Sequence, residues 1–287
     1  MRTAPGYEVV PFPKLQSQSI DWLALMHRQH TIHALLELDV TDARHAIREH
    51  RARTGEPLSF TGFIVACLAR AIDEDRAMHA YRKGRGRLVV FDDVDVTVLV
   101  ESDVEQAKIP MPHIVRAANR KGPLEITREI RAAQTEPVPY VAGRRWLPLW
   151  LLVPAFVRQF VWARVLADPR RRKRLTGTTV VTSLGMFGRG AFWGIPLTSY
   201  TTALTVGGIA RKPGVVPGEG AEERIVVREY LSLTMSFDHD VIDGAPAVRF
   251  GMRLKELIEG GAGITADPRP ARPQPADPPV VRLEPAL

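Results

Sequence analysis

Apolar and polar positions change rhythm several times along these 287 residues. Residues 34–40 alternate, which predicts a strand with one wet face. Thr41-Asp42 then reads as a helix cap ahead of a charged helix from Ala43 to about Arg53. Thr54-Gly55-Glu56-Pro57 breaks that helix. Residues 59–72 are mostly apolar, with Phe63, Ile64, Leu68 and Ile72 on nearly one side of a predicted helix. Residues 87–91 and 94–100 read as strands joined through Asp92-Asp93, and 108–115 as another extended run. Gly122-Pro123 opens a helix from Leu124 to about Gln134.

The second half opens with a different texture. Residues 144–174 hold a concentrated apolar run, with Trp146, Trp150, Phe156, Phe160 and Trp162, closed by Arg170-Arg171-Arg172-Lys173-Arg174. Residues 177–188 read as a strand ending in a Gly-punctuated turn, Thr182-Ser183-Leu184-Gly185. A strand over 198–209, a basic turn at 211–214 and a polar hairpin loop at 217–223 follow. Residues 224–235 read as a strand rich in β-branched and aliphatic residues. Residues 245–258 read as a helix, with Val248, Met252, Leu254, Leu257 and Ile258 at helical spacing. Residues 263–287 form a Pro-rich tail whose composition disfavours packing, and residues 1–19 read as an extended arm.

Composition narrows the class. Hydrophobic content of 45% and charged content of 25% are ordinary for a globular protein. A formal charge of +7 permits anionic ligands or acidic membrane surfaces. Zinc-finger spacing and a glycine-aromatic RNA signature are missing, so no nucleic acid is expected. The single cysteine, Cys67, cannot form an intrachain disulfide, which agrees with a reducing, cytoplasmic setting. It sits in an apolar run and reads as a packing residue rather than a nucleophile.

Candidate chemistry gathers where the 224–235 strand gives way to the last helix: Ser236-Phe237-Asp238-His239-Asp240-Val241-Ile242-Asp243-Gly244. An imidazole titrates near neutrality and suits a general base. Asp243 is placed to orient it or to bond a neighbouring element. Gly244 is expected where a side chain would clash with the turn. The plain alternative is a helix-capping carboxylate and an ordinary loop histidine.

This stretch resembles the active-site segment of the acyltransferase catalytic domain of 2-oxo acid dehydrogenase complexes, which shares its fold with chloramphenicol acetyltransferase. Other segments resemble that domain in the same order: Leu38-Asp39-Val40-Thr41, Leu58-Ser59-Phe60-Thr61, residues 94–101, Ile109-Pro110 onward, and Leu124 to Ile130. The match covers roughly residues 20 to 258. It implies an α/β fold, a chloramphenicol acetyltransferase-like mixed sheet with flanking helices. It implies a homotrimer with sites at subunit interfaces, His239 of one subunit facing Thr182 of the next. The substrates implied are coenzyme A or acyl-coenzyme A, and dihydrolipoamide or another thiol, amine or hydroxyl acceptor, with no metal. His239 is then the base, Thr182 the donor to the oxyanion, and Asp243 the residue that fixes the loop. Ser183, Gly185 and Gly244 are expected to contact substrate. One preorganised oxyanion donor is worth roughly 3 kcal/mol of barrier. An ordinary strand threonine is the alternative for Thr182.

The sequence also departs from that family. Asp240 stands where an arginine usually follows the histidine. The catalytic part is taken as residues 20–262, and the expectation is a stand-alone form without a lipoyl-bearing domain or subunit-binding segment ahead of it. The family's N-terminal arginine partner for the second aspartate is replaced by Leu25, with Arg28 as a substitute. Residues 144–174 have no close counterpart and suggest membrane-surface binding or a lid over the acyl site, against a helix simply packed on its own trimer. The Pro-rich end argues against assembly of trimers into cages.

Overall fold

The computed structural model describes residues 10, 20, 23–24, 26, 29–84, 86–104, 107–135, 152–185, 190–218 and 222–264. The strands are β1 (Thr31–Asp39), β2 (Tyr81–Lys83), β3 (Arg87–Val89), β4 (Val96–Val104), β5 (Ala107–Val115), β6 (Thr179–Ser183), β7 (Thr202–Pro217) and β8 (Glu223–Asp238). The helices are α1 (Thr41–Thr54), α2 (Phe60–Glu74), α3 (Pro123–Thr135), α4 (Ala155–Leu166), α5 (Pro169–Thr176) and α6 (Gly244–Glu259).

Six strands form one mixed sheet in the order β1-β8-β7-β6-β4-β5. Its two parallel pairs, β4 with β6 and β6 with β7, lie in the middle. Strand β8 shows why the sheet has helices on one side. Leu231, Leu233, Met235 and Phe237 alternate with Ser232, Thr234, Ser236 and Asp238, and all are buried. The apolar set joins Phe63, Ile64, Leu68 and Ile72 of α2 and Leu254 and Ile258 of α6 in the core. Phe237 meets Phe250 edge-on at 6.1 Å, a favoured aromatic geometry. Cys67 lies in the same core, its thiol pushed upward by burial, which supports the packing reading.

The expected mixed α/β architecture with flanking helices is present. Several local expectations are corrected. Residues 87–89 pair with β2 in a separate two-stranded sheet, not with β4. Residues 211–214 are not a turn: β7 runs through them, pairing Lys212 with Arg228 and Pro213 with Val227. The β6–β7 pairing ends at Val206 among the described residues, and proline is tolerated where a strand edge is free of a ladder. The described part of 144–174 is two helices, because Asp168 caps a new one by accepting from Arg170 N at 3.1 Å, with Pro169 at its first position. Trp146, Leu149, Trp150 and Leu151 lie outside the described residues, as do Leu25 and Arg28, the arm apart from Val10, and the tail beyond Ile264.

Candidate active site

Strand β8 ends at Asp238, and His239 is the next residue, in the turn that leads to α6. The turn is fixed by backbone bonds. Val241 N and Ile242 N both donate to Asp238 O, at 3.0 and 2.9 Å, and the Ile242 side chain is buried. His239 N donates to His30 O at 2.7 Å. The His239 side chain is 46% exposed, and its Nδ1 lies 3.9 Å from Asp243 Oδ1. That is charge-pair range and too long for a hydrogen bond. Asp243 sits at the N-cap of α6, makes no side-chain capping bond and is 85% exposed. Gly244 is corrected: a Cβ there meets nothing within 4 Å, so this chain alone does not demand glycine.

The residues beside His239 are held more tightly than His239 itself. Asp240 takes His30 Nδ1 at 2.9 Å and Arg82 Nη1 at 3.0 Å. The bond from His30, with help from Arg82, holds its carboxyl below the usual range. An acid suits this position, because its neighbours are an imidazole and a guanidinium. Asp238 is buried and accepts from Gln29 Nε2 at 3.2 Å and from Asp240 N at 3.1 Å. Burial pushes its carboxyl upward. Asp238 and Asp240 line a cavity of about 340 Å³ with Gln29, Arg82 and Arg172, and α4 contributes Ala163 and Leu166 to its wall.

Thr182 is the second-last residue of β6, in register with Thr205 of β7, which is in register with Thr234 of β8. The three therefore share the face of the sheet opposite the core. The hydroxyls of Thr205, Thr234 and Ser232 are buried with no hydrogen-bond partner among the described residues. Residues 190–199 cover this face: Trp193 Nε1 donates to Leu36 O at 3.3 Å. They approach closely because Gly207 and Gly208 form a bulge in β7. A Cβ on Gly207 would lie 2.1 Å from Phe192 O, and one on Gly208 1.9 Å from Gly190 O. Gly185 is pressed against Gly207 O in the same way, at 2.7 Å. Ser183 is on the other face from Thr182, since neighbours along a strand alternate.

Within one chain Thr182 and His239 stay apart. Asp238 is four positions beyond Thr234 along β8, about 13 Å by strand rise, and two strand spacings from β6, about 10 Å more across the sheet. His239 and Thr182 of one chain are thus far beyond hydrogen-bonding reach of each other. Sequence reasoning missed Gln29, His30 and Arg82. They come from distant segments with no recognisable spacing. The alternation of hydroxyl and apolar residues from Leu231 to Asp238 was the available sign that both faces of β8 are covered.

Residues 170–265 match the family described as 2-oxoacid dehydrogenases acyltransferase (catalytic domain). The matched stretch starts inside the basic run and includes both Thr182 and His239. The dihydrolipoyllysine-residue acetyltransferase component of the pyruvate dehydrogenase complex of Zymomonas mobilis is 34% identical over 90 residues, 31% of this chain and 19% of that protein. The chain therefore spans only a fraction of that relative. A probable dihydrolipoamide acetyltransferase from Listeria monocytogenes superposes with a TM-score of 0.64 at 19% identity, covering 90% of this chain and 96% of the other. The Azotobacter vinelandii dihydrolipoamide acetyltransferase gives 0.62 at 20% identity, covering 90% and 93%. Residues 170–265 thus resemble the 2-oxoacid dehydrogenases acyltransferase catalytic domain, and the chain has the fold of the solved dihydrolipoamide acetyltransferases.

Proposed function

We propose that this chain is an acyltransferase that moves an acyl group between coenzyme A and a thiol of the dihydrolipoamide kind, acting as a homotrimer. The observation that carries the reading is the His239 turn: a half-exposed imidazole with a carboxylate four residues later, inside the matched segment. In the Azotobacter vinelandii enzyme the residues studied for catalysis are a serine, a histidine and an asparagine, the last two also four positions apart.

Neutral His239 takes the proton of the acceptor thiol. The sulfur forms a bond to the thioester carbonyl carbon, and the carbonyl electrons move to oxygen. Thr182 of a neighbouring subunit donates its hydroxyl to that oxyanion. Collapse breaks the bond to the coenzyme A sulfur, which leaves with the proton held by His239. The separation of Thr182 from His239 within one chain is the reason for assigning the two groups to different subunits. Asp243 Oδ1, 3.9 Å from Nδ1, is placed to orient the imidazole ring.

The test is acyl transfer from acetyl-coenzyme A to free dihydrolipoamide, with native mass spectrometry of the same sample. Wild type is expected to turn over and to show a trimer mass. His239→Ala should lose roughly 10²–10⁴-fold in turnover as a folded trimer. Near-normal turnover of His239→Ala would remove the base assignment, and an inactive wild type with no affinity for acyl-coenzyme A would remove the acyltransferase reading.

A further inference from the structure

Helix α4 is turned the wrong way round for a helix facing water. Phe156 and Phe160 are 73% and 65% exposed, whereas Arg158 between them is 8% exposed. Arg158 Nη1 donates to Val153 O at 2.6 Å. The two phenylalanines are four apart and so form one stripe, preceded by exposed Leu152 and flanked by exposed Val161. The opposite side of α4 carries the buried Arg158, while Ala163, one turn further along the stripe's own face, and Leu166 line the cavity beside Asp238. An apolar patch left on the outside of a helix marks an interaction surface.

The charge around the stripe says what covers it. Residues 152–176 contain six arginines and one lysine against a single acid, Asp168. In α5 two of these cations point inward: Arg172 stacks over the Tyr81 ring at 3.9 Å, and Lys173 lies 5.0 Å from the Phe91 ring. Arg170, Arg171 and Arg174 are exposed, with exposed Leu175 beside them. A second copy that met this patch with its own would set arginines against arginines. The cores of protein interfaces are also depleted in charge. Exposed aromatic residues with arginines close by are the composition of a helix lying in the headgroup layer. No helix among the described residues is long and apolar enough to cross a membrane, and α4, with 12 residues, is about 18 Å long.

We propose that α4 and α5 dock the protein on an anionic lipid surface, Phe156 and Phe160 entering the acyl boundary and Arg170, Arg171 and Arg174 meeting the headgroups. This stands apart from the acyltransferase reading, because its test needs no turnover. The full chain is sedimented with vesicles of phosphatidylcholine alone and with phosphatidylglycerol added. Binding is expected only to the anionic vesicles and should fall with added salt. Arg170→Gln with Arg171→Gln and Arg174→Gln should weaken it by about a hundred-fold. Phe156→Ser with Phe160→Ser should also release the protein, with an unchanged oligomer mass. Wild type that binds neither vesicle, or both equally, overturns the proposal. So does a phenylalanine variant that loses its oligomer, since the stripe is then a subunit contact.

Discussion

His30 Nδ1 and Asp240 Oδ1 lie 2.9 Å apart although 210 positions separate them in the chain. Together with the bond from His239 N to His30 O, this ties the turn that carries the histidine to the entry of β1. Asp240→Ala removes the side-chain tie and leaves the backbone bond. Turnover is expected to fall roughly ten-fold through misplacement of the imidazole, with a stability loss below about 1 kcal/mol, because His30 is largely exposed. Steady-state kinetics and a urea melt check both parts, and unchanged kinetics would mean that the backbone bond alone sets the turn.

Thr182→Ala should lower kcat by about 10²–10³-fold and leave KM nearly unchanged, because an oxyanion exists only in the transition state. Thr182→Ser keeps the donor and should retain most activity. A rise in KM at constant kcat would place the hydroxyl against the ground-state substrate instead.

His79 supplies a pH dependence of stability. It is fully buried, with Nδ1 3.0 Å from Thr178 Oγ1 and Nε2 donating to Phe91 O at 3.0 Å. Burial pushes its pKa down to about 4. The unfolded chain therefore holds the proton more tightly between the ordinary imidazole value and about 4. The contribution is present above that window and is lost as pH falls through it. Wild type should lose about 2 kcal/mol more than His79→Gln between pH 7 and pH 5 in urea melts. Parallel profiles for the two proteins would show that the imidazole is not held neutral.

Two glycines should respond oppositely to the same substitution. Gly207→Ala puts a Cβ 2.1 Å from the backbone oxygen of Phe192 and should cost about 1–3 kcal/mol. Gly244→Ala meets nothing within 4 Å in this chain and should stay within about 0.5 kcal/mol. Thermal melts of the two variants side by side decide this. Equal losses would mean that Gly244 is crowded by something outside a single chain.

The legible parts of the chain were those in which local pattern and tertiary role agree. The α2 helix reads from its sequence because Ser59 caps it, accepting from Gly62 N at 2.9 Å, and its apolar residues all face one core. The His239 turn reads because the strand, the turn chemistry and the following helix are contiguous. What could not be read depends on partners far along the chain. Residues 211–214 look like a turn until β8 is seen to pair with them. Asp240 looks like a misplaced charge until His30 and Arg82 are beside it. The burial of Thr205 and Thr234 depends on the 190–199 segment lying over them, which no periodicity announces.

The pairing of β1 with β8, Thr31 opposite Asp238, also governs when the protein can fold during synthesis. The first strand of the sheet finds its partner only after some two hundred more residues have been made, on the order of 10–40 s at typical ribosome speeds. Until then Leu36 and Leu38 have no strand to lie against, and such distant pairing is slow once it becomes possible. Because His239 N bonds to His30 O, the histidine turn can be completed only when both ends of the domain have emerged.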